Sequence, residues 1–177
     1  MKKQLNFILL NGAIGSGKST IANLLKEKLK RTAIIEIEDV RHLISDYRYG
    51  KEDNNLAWNI IYTMCKEYFI NGVSVLIKQT VCSQDMVDRF LMLAKKHRCM
   101  IGFYHLQAPK KVLLERIAKR KKSRAVSITL ITKNIKKHEK MKYANATVID
   151  TTKMKPSDAA RFILRNSSKL SASPPFL

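Results

Sequence analysis

No apolar run in this 177-residue sequence approaches the roughly 20 residues needed to cross a bilayer, which excludes a membrane-spanning role and predicts a soluble, cytoplasmic protein. The N-terminal Met1-Lys2-Lys3 precedes only a short run, Leu5 to Leu10, interrupted by Asn6, and reads as a first strand rather than a secretion signal. Cysteine is sparse: Cys65, Cys82 and Cys99 are odd in number, widely spaced and free of any CxxC pair, so neither a disulfide framework nor a zinc site is indicated. Buried structural thiols are the expected use. His42, His97, His105 and His138 add no ligand pattern. With 6 glycines and 4 prolines in a chain 45% hydrophobic, the composition is that of an ordinary globular domain. The length suits one domain over 1–166, followed by a flexible Ser/Pro tail at 167–177.

Acids are also scarce. The 14 Asp and Glu face 34 Lys and Arg, a formal net charge of +20, which suits a polyanionic or multiply phosphorylated partner and equally a lysine-covered, solvated surface. Between Lys110 and Lys142 there are 13 Lys/Arg and 2 acids, so more than half of the excess charge lies in under a fifth of the chain. The oligomeric state is not readable.

Short apolar runs alternate with segments of helical period. Leu5 to Leu10, Ala33 to Ile37, Val73 to Ile77, Met100 to Leu106 and Thr147 to Ile149 read as five strands. Ser19 to Lys30, Asn54 to Ile70, Ser83 to His97 and Pro109 to Lys121 carry apolar residues every three or four positions and read as amphipathic helices. Strands such as Phe7-Ile8-Leu9-Leu10 are apolar throughout, so the sheet is expected to be parallel and covered by helices on both faces, with ligands at its carboxyl edge. The polar stretch Tyr47 to Asn55 reads as a loop over that edge.

The first strand leads into Gly12-Ala13-Ile14-Gly15-Ser16-Gly17-Lys18-Ser19, followed by Thr20 and a helix. In G-x-x-x-x-G-K-[ST], glycines let the backbone curl so that successive N–H groups face phosphate oxygens, and the helix adds its positive end. Lys18 is expected on the β- and γ-phosphates of ATP, and the Ser19 hydroxyl in the coordination shell of Mg²⁺. Strand two ends in Glu36-Ile37-Glu38-Asp39-Val40-Arg41. A carboxylate at a strand end beside the phosphate loop can stand within hydrogen-bond reach of a nucleophile, which makes Glu38 the candidate base. Asp39 is either a second catalytic acid or the N-cap of a helix from Val40 to Ser45. Arg41 either holds an anionic group of the acceptor or pairs with one of these acids.

With these residues the chain resembles the P-loop kinases of the nucleoside-monophosphate-kinase type, particularly the AAA_33-like, zeta-toxin-like and polynucleotide-kinase-like branch, over roughly residues 5 to 165. The resemblance implies a three-layer P-loop fold with sheet order 2-3-1-4-5 and a basic lid over roughly 117–142. It implies that Glu38-x-x-Arg41 is the acid-x-x-Arg element, with Glu where Asp is usual. It further implies that Arg116 packs on adenine, that Arg120 and Arg124 meet phosphates, and that Asp150 and Thr151 border the base. A solvated basic helix and a capped turn are the alternatives for these last two groups. Strand three departs from the pattern: Lys78 stands where relatives often place an Asp, so it either holds phosphate or marks the loss of Mg²⁺ chemistry, unless Asp46, Asp53 or Asp85 compensates.

The expected function is ATP-dependent phosphoryl transfer to a small molecule or nucleotide, with Trp58 and the Tyr47 to Asn55 loop shaping the acceptor pocket. A polynucleotide 5′-hydroxyl acceptor, bound through the basic 110–142 segment, is the second reading. That segment has little aromatic interleaving beyond Tyr143. The third is a nucleotide-binding regulatory module without transfer.

Overall fold

A computed structural model describes residues 4–48, 50–80, 83–119 and 127–169. Five strands, β1 (Asn6–Gly12), β2 (Thr32–Ile35), β3 (Ser74–Lys78), β4 (Met100–Gln107) and β5 (Thr147–Asp150), pair in parallel in the order β2-β3-β1-β4-β5. Around them run α1 (Lys18–Lys26), α2 (Ile37–Arg41), α3 (Lys51–Ile70), α4 (Gln84–Lys96), α5 (Lys110–Ala118), α6 (Ile128–Lys140) and α7 (Pro156–Lys169). The expected sheet, its order and its helical cover are all present.

The two-residue period of each strand divides the core in two. Phe7, Leu9, Val75, Ile77 and Phe103 face α3 and α4, where Phe90 meets Phe7 at 6.4 Å and Trp58 at 5.7 Å between ring centroids. Ile8, Leu10, Leu76, Tyr104 and Leu106 face α1 and α7. A third, smaller cluster joins Ala13 at the end of β1 to Leu113 of α5 and to Ile131 and Ile135 of α6. It fastens α6 beside the loop that follows β1.

Several sequence expectations shift. Strand two was expected to reach Ile37, but its pairing with β3 ends at Ile35 opposite Ile77, and Ile37 opens α2. The N-cap of α2 is Glu36 in extended conformation, so Asp39 is not a cap: it lies exposed in the first turn, where a carboxylate suits the helix's positive end. The Tyr47 to Asn55 loop is cut short because α3 begins at Lys51. Trp58 belongs to the core: it is 9% exposed and packs edge-on to Phe90. The tail expected from residue 167 begins inside α7, where the Ser167 hydroxyl donates to the Ile163 carbonyl at 2.9 Å. Helices α6 and α7 were not separately anticipated. No helix among the described residues is long and apolar enough to cross a membrane. Cys65 and Cys99 are buried free thiols, each pushed up to about 12 by desolvation; Cys82 lies outside the described residues.

Candidate functional site

The loop between β1 and α1 is shaped by two glycines in particular. Gly12 comes so close to β4 that a Cβ there would lie 2.6 Å from the Leu106 carbonyl and 2.6 Å from Ser16 Oγ. Gly17, at φ 95°, takes the left-handed conformation that ends the curl and caps α1, and a Cβ on it would meet nothing within 4 Å, so it faces open space. The first turn of α1 carries no acid, leaving its N–H groups and partial positive charge directed at the loop. Ser19 and Thr20 are exposed at its mouth. Lys18 bends back so that Nζ donates to the carbonyls of Gly12 at 2.7 Å and Ala13 at 2.9 Å. This concave row of donors suits a nucleotide's phosphate chain.

The neighbouring strands brace the loop. The Thr80 hydroxyl donates to the Gly12 carbonyl at 2.9 Å, and the Gln79 amide to the Leu10 carbonyl at 3.1 Å. From α6, Asn134 Oδ1 accepts the Ile14 amide at 3.0 Å. Neither Thr80 nor Asn134 was singled out from the sequence, because each acts across more than 60 residues of chain and neither has a motif of its own.

At the end of β2, Glu38 and Arg41 stand one helical turn apart, and Arg41 Nη1 donates to Glu38 Oε1 at 2.8 Å. Arg41 Nη2 also donates to Asn54 Oδ1, which accepts the Tyr47 hydroxyl at 3.0 Å, and the Tyr47 ring lies 5.4 Å from the Arg41 guanidinium carbon. Arg41 therefore pairs with an acid, as one sequence reading allowed. The second carboxylate oxygen, Glu38 Oε2, is buried and accepts no hydrogen bond from the described residues. The site thus contains an acceptor oxygen that the described donors leave unused.

Lys78, at the end of β3, links the two regions. Its Nζ lies 2.5 Å from Glu36 Oε2 and 3.4 Å from Ser19 Oγ, and its side chain is only 12% exposed. The Ser19 hydroxyl, expected to bind Mg²⁺, therefore faces an ammonium, and Glu36 is paired with that ammonium. No group of three or more His, Cys, Asp and Glu among the described residues could hold a metal ion. At Ser19 Oγ the nearby side chain on β3 is thus a cation, where an acid would favour a divalent ion. The sequence pointed to Lys78 as a departure but gave no sign of Glu36 as its partner.

On the other side of the loop, Arg116 of α5 donates to Thr151 Oγ1 at 2.8 Å and to the Thr151 carbonyl at 2.7 Å. The tertiary fold thus joins these two predicted base-site residues across 35 positions. Asp150 acts as a turn cap: Oδ1 accepts the Thr152 amide at 2.9 Å and hydroxyl at 2.6 Å, and these bonds hold its carboxyl below the usual range. Arg120 and Arg124, expected on phosphates, lie outside the described residues, as does the 120–126 part of the expected lid.

A cavity of about 380 Å³ opens at the carboxyl ends of β4 and β5, lined by Ala13, Gln107, Leu113, Ile135, His138 and Asp150. Its wall includes two imidazoles missed in the sequence: His105 and His138 are stacked at 5.6 Å and 13°, with Tyr143 at 4.9 Å from His105. Burial and, secondarily, Lys18 lower His105 to about 4. Burial, then His105, Lys18 and Lys137, lowers His138 to about 3, so both rings are neutral at neutral pH.

The sequence matches the AAA_33 family, described as an AAA domain, over residues 7–142. No curated protein matches it. Among solved structures, the fold is similar to an unliganded sugar kinase from Janibacter sp. HTCC2649 at 20% identity and TM-score 0.67, covering 96% of each chain. It is also similar to a gluconokinase from Sinorhizobium meliloti 1021, at 17% identity and TM-score 0.68 with 95% of each chain covered. An APS kinase from Mycobacterium tuberculosis, in complex with AMPPNP and APS, aligns at 14% identity and TM-score 0.67, covering 93% of this chain and 98% of that one. At these identities the likeness establishes the P-loop kinase fold.

Proposed function

The chain belongs to the AAA_33 family, and on that premise we propose that it is an ATP-dependent phosphotransferase moving the γ-phosphate of ATP to a small-molecule or nucleotide acceptor. The observation that carries this reading is Glu38 Oε2, a buried carboxylate oxygen in α2, just past β2, left without a hydrogen-bond partner among the described residues. Lys78 touches both Ser19 and Glu36, so that strand end and the phosphate loop lie within one lysine's reach of each other.

The amides of Gly12 to Thr20 and the Lys18 ammonium would hold the triphosphate, while Arg116 and the Asp150-Thr151 turn would border the base. Glu38 would accept the proton of the acceptor hydroxyl as that oxygen attacks the γ-phosphorus and the bond to the departing ADP breaks. Arg41, fixed by Glu38, Asn54 and Tyr47, would orient that carboxylate and meet an anionic group of the acceptor. Asp39, exposed, has no part in this arrangement; Arg120 keeps the phosphoryl-neutralising role implied by the family. The working unit is one domain over roughly residues 1–166, with α7 packed on its sheet.

A nucleic-acid 5′-hydroxyl as acceptor is the second reading, favoured by exposed Lys133, Lys136, Lys137 and Lys140 on α6. It ranks lower because Tyr143, the aromatic of that segment, packs inward against Phe103 and His105 instead of offering a stacking face.

The test supplies γ-labelled ATP with pooled nucleosides, nucleotides, sugars, antibiotics and 5′-hydroxyl oligonucleotides. Label should move to one pool, vanish with Lys18→Ala and fall about 10²- to 10⁴-fold with Glu38→Gln. ATP binding without transfer to any pool would replace the enzyme reading with that of a regulatory module.

A further inference from the structure

Lys78 is held through both its backbone and its ammonium. Its backbone is fixed by the sheet, where it pairs with Leu10 two residues before Gly12. The next residues are tied to the phosphate loop by the Gln79 amide and the Thr80 hydroxyl. Its ammonium is aimed by Glu36 at 2.5 Å and reaches the Ser19 hydroxyl at 3.4 Å. Ser19 Oγ is the loop oxygen that in G-x-x-x-x-G-K-[ST] sites serves a Mg²⁺ ion. A divalent ion at that oxygen would stand against a monovalent one already there, with Glu36 spent on the lysine.

We propose that Lys78 is a tethered cation which takes the place of a divalent ion beside Ser19, so that this chain binds a nucleoside triphosphate without requiring Mg²⁺. The proposal rests on the nucleotide-binding reading above. Glu36 serves as the counter-ion that keeps the lysine extended toward the loop. On binding, the triphosphate oxygens become the stronger partner, because they present several negative charges to the same ammonium. Lys18 and Lys78 then approach the phosphates from the loop and from β3, and the two lysines together neutralise charge that a lysine and a metal ion would otherwise share. A lysine carries one charge and no fixed coordination geometry, so the arrangement favours holding the triphosphate over shaping a metal shell around it.

The experiment measures ATP affinity of the full chain by calorimetry, in excess chelator and in saturating Mg²⁺. The expected result is dissociation constants within about threefold of each other, and a weakening of about tenfold or more in chelator for Lys78→Met, as expected for one lost charge-assisted contact. Mg²⁺ should restore part of that loss, because Ser19 and Glu36 are then free of the ammonium. Lys78→Arg, which keeps a cation, should retain binding in chelator, and thermal melts of both variants check that they fold. Wild-type binding that tightens about tenfold or more with Mg²⁺, or folded Lys78→Met that binds as well as wild type in chelator, would overturn the assignment of Lys78 while leaving the phosphotransferase reading intact. No binding by wild type in either buffer would overturn both.

Discussion

Acid should destabilise this protein earlier than its carboxylates alone would require, and the cause is the stacked pair His105 and His138. Burial holds His105 at about 4 and His138 at about 3, against about 6.5 for an exposed imidazole. Below about pH 6.5 the unfolded chain takes up a proton at each ring while the folded chain does not, so the unfolded state binds more protons and gains ground. The stabilisation conferred by neutral burial is complete above that pH and is lost as pH falls toward the folded values. At about pH 5 each ring contributes a loss of about 2 kcal/mol, and the pair about 4 kcal/mol as a ceiling, a large part of the roughly 5–15 kcal/mol that holds a domain folded. Urea unfolding at about pH 7.5 and about pH 5 measures it for wild type and for His138→Gln. The comparison uses the change with pH within each protein, so any fixed cost of the substitution cancels. The variant should lose about half as much stability as wild type across this interval, and an equal loss in both would refute the reasoning.

Phe90→Ala should cost about 3–5 kcal/mol in urea unfolding, because the ring sits at the centre of contacts with Phe7, Trp58 and Tyr62; a loss below about 1 kcal/mol would mean that the α4 face of the core collapses without strain. Gly17→Ala should cost about 1–2 kcal/mol through backbone strain alone, since φ is 95° and the added methyl meets nothing within 4 Å; thermal melts that match wild type would show that the loop relaxes out of the left-handed region.

The hydrophobic period and the glycine pattern made much of this protein legible without coordinates. Five apolar runs became five parallel strands, and the loop between Gly12 and Lys18 lies where the strand-to-helix context placed it, because both signals are local and act through the backbone itself. Element ends were less legible. The chain leaves the sheet after Ile35 because hydrogen-bond pairing with β3 ends there, although Ile37 carries an equally apolar side chain. Trp58 looked like a pocket residue beside a polar loop, yet the packing of α3 on the sheet turned it into the core.

Sequence by itself determined which residue types were available: a phosphate-cradling loop, an acid and an arginine three positions apart, and a lysine where an acid was expected. Tertiary structure alone decided their partners. It joined Lys78 to Glu36 and Ser19, Arg116 to Thr151, Asn134 to Ile14 and His105 to His138, contacts that lie between 33 and 120 positions apart in the chain. The physical reason is that a side chain's charge and shape are fixed by its own chemistry. Its distance to another side chain, and its desolvation, exist only once strand order and helix packing have brought the two together.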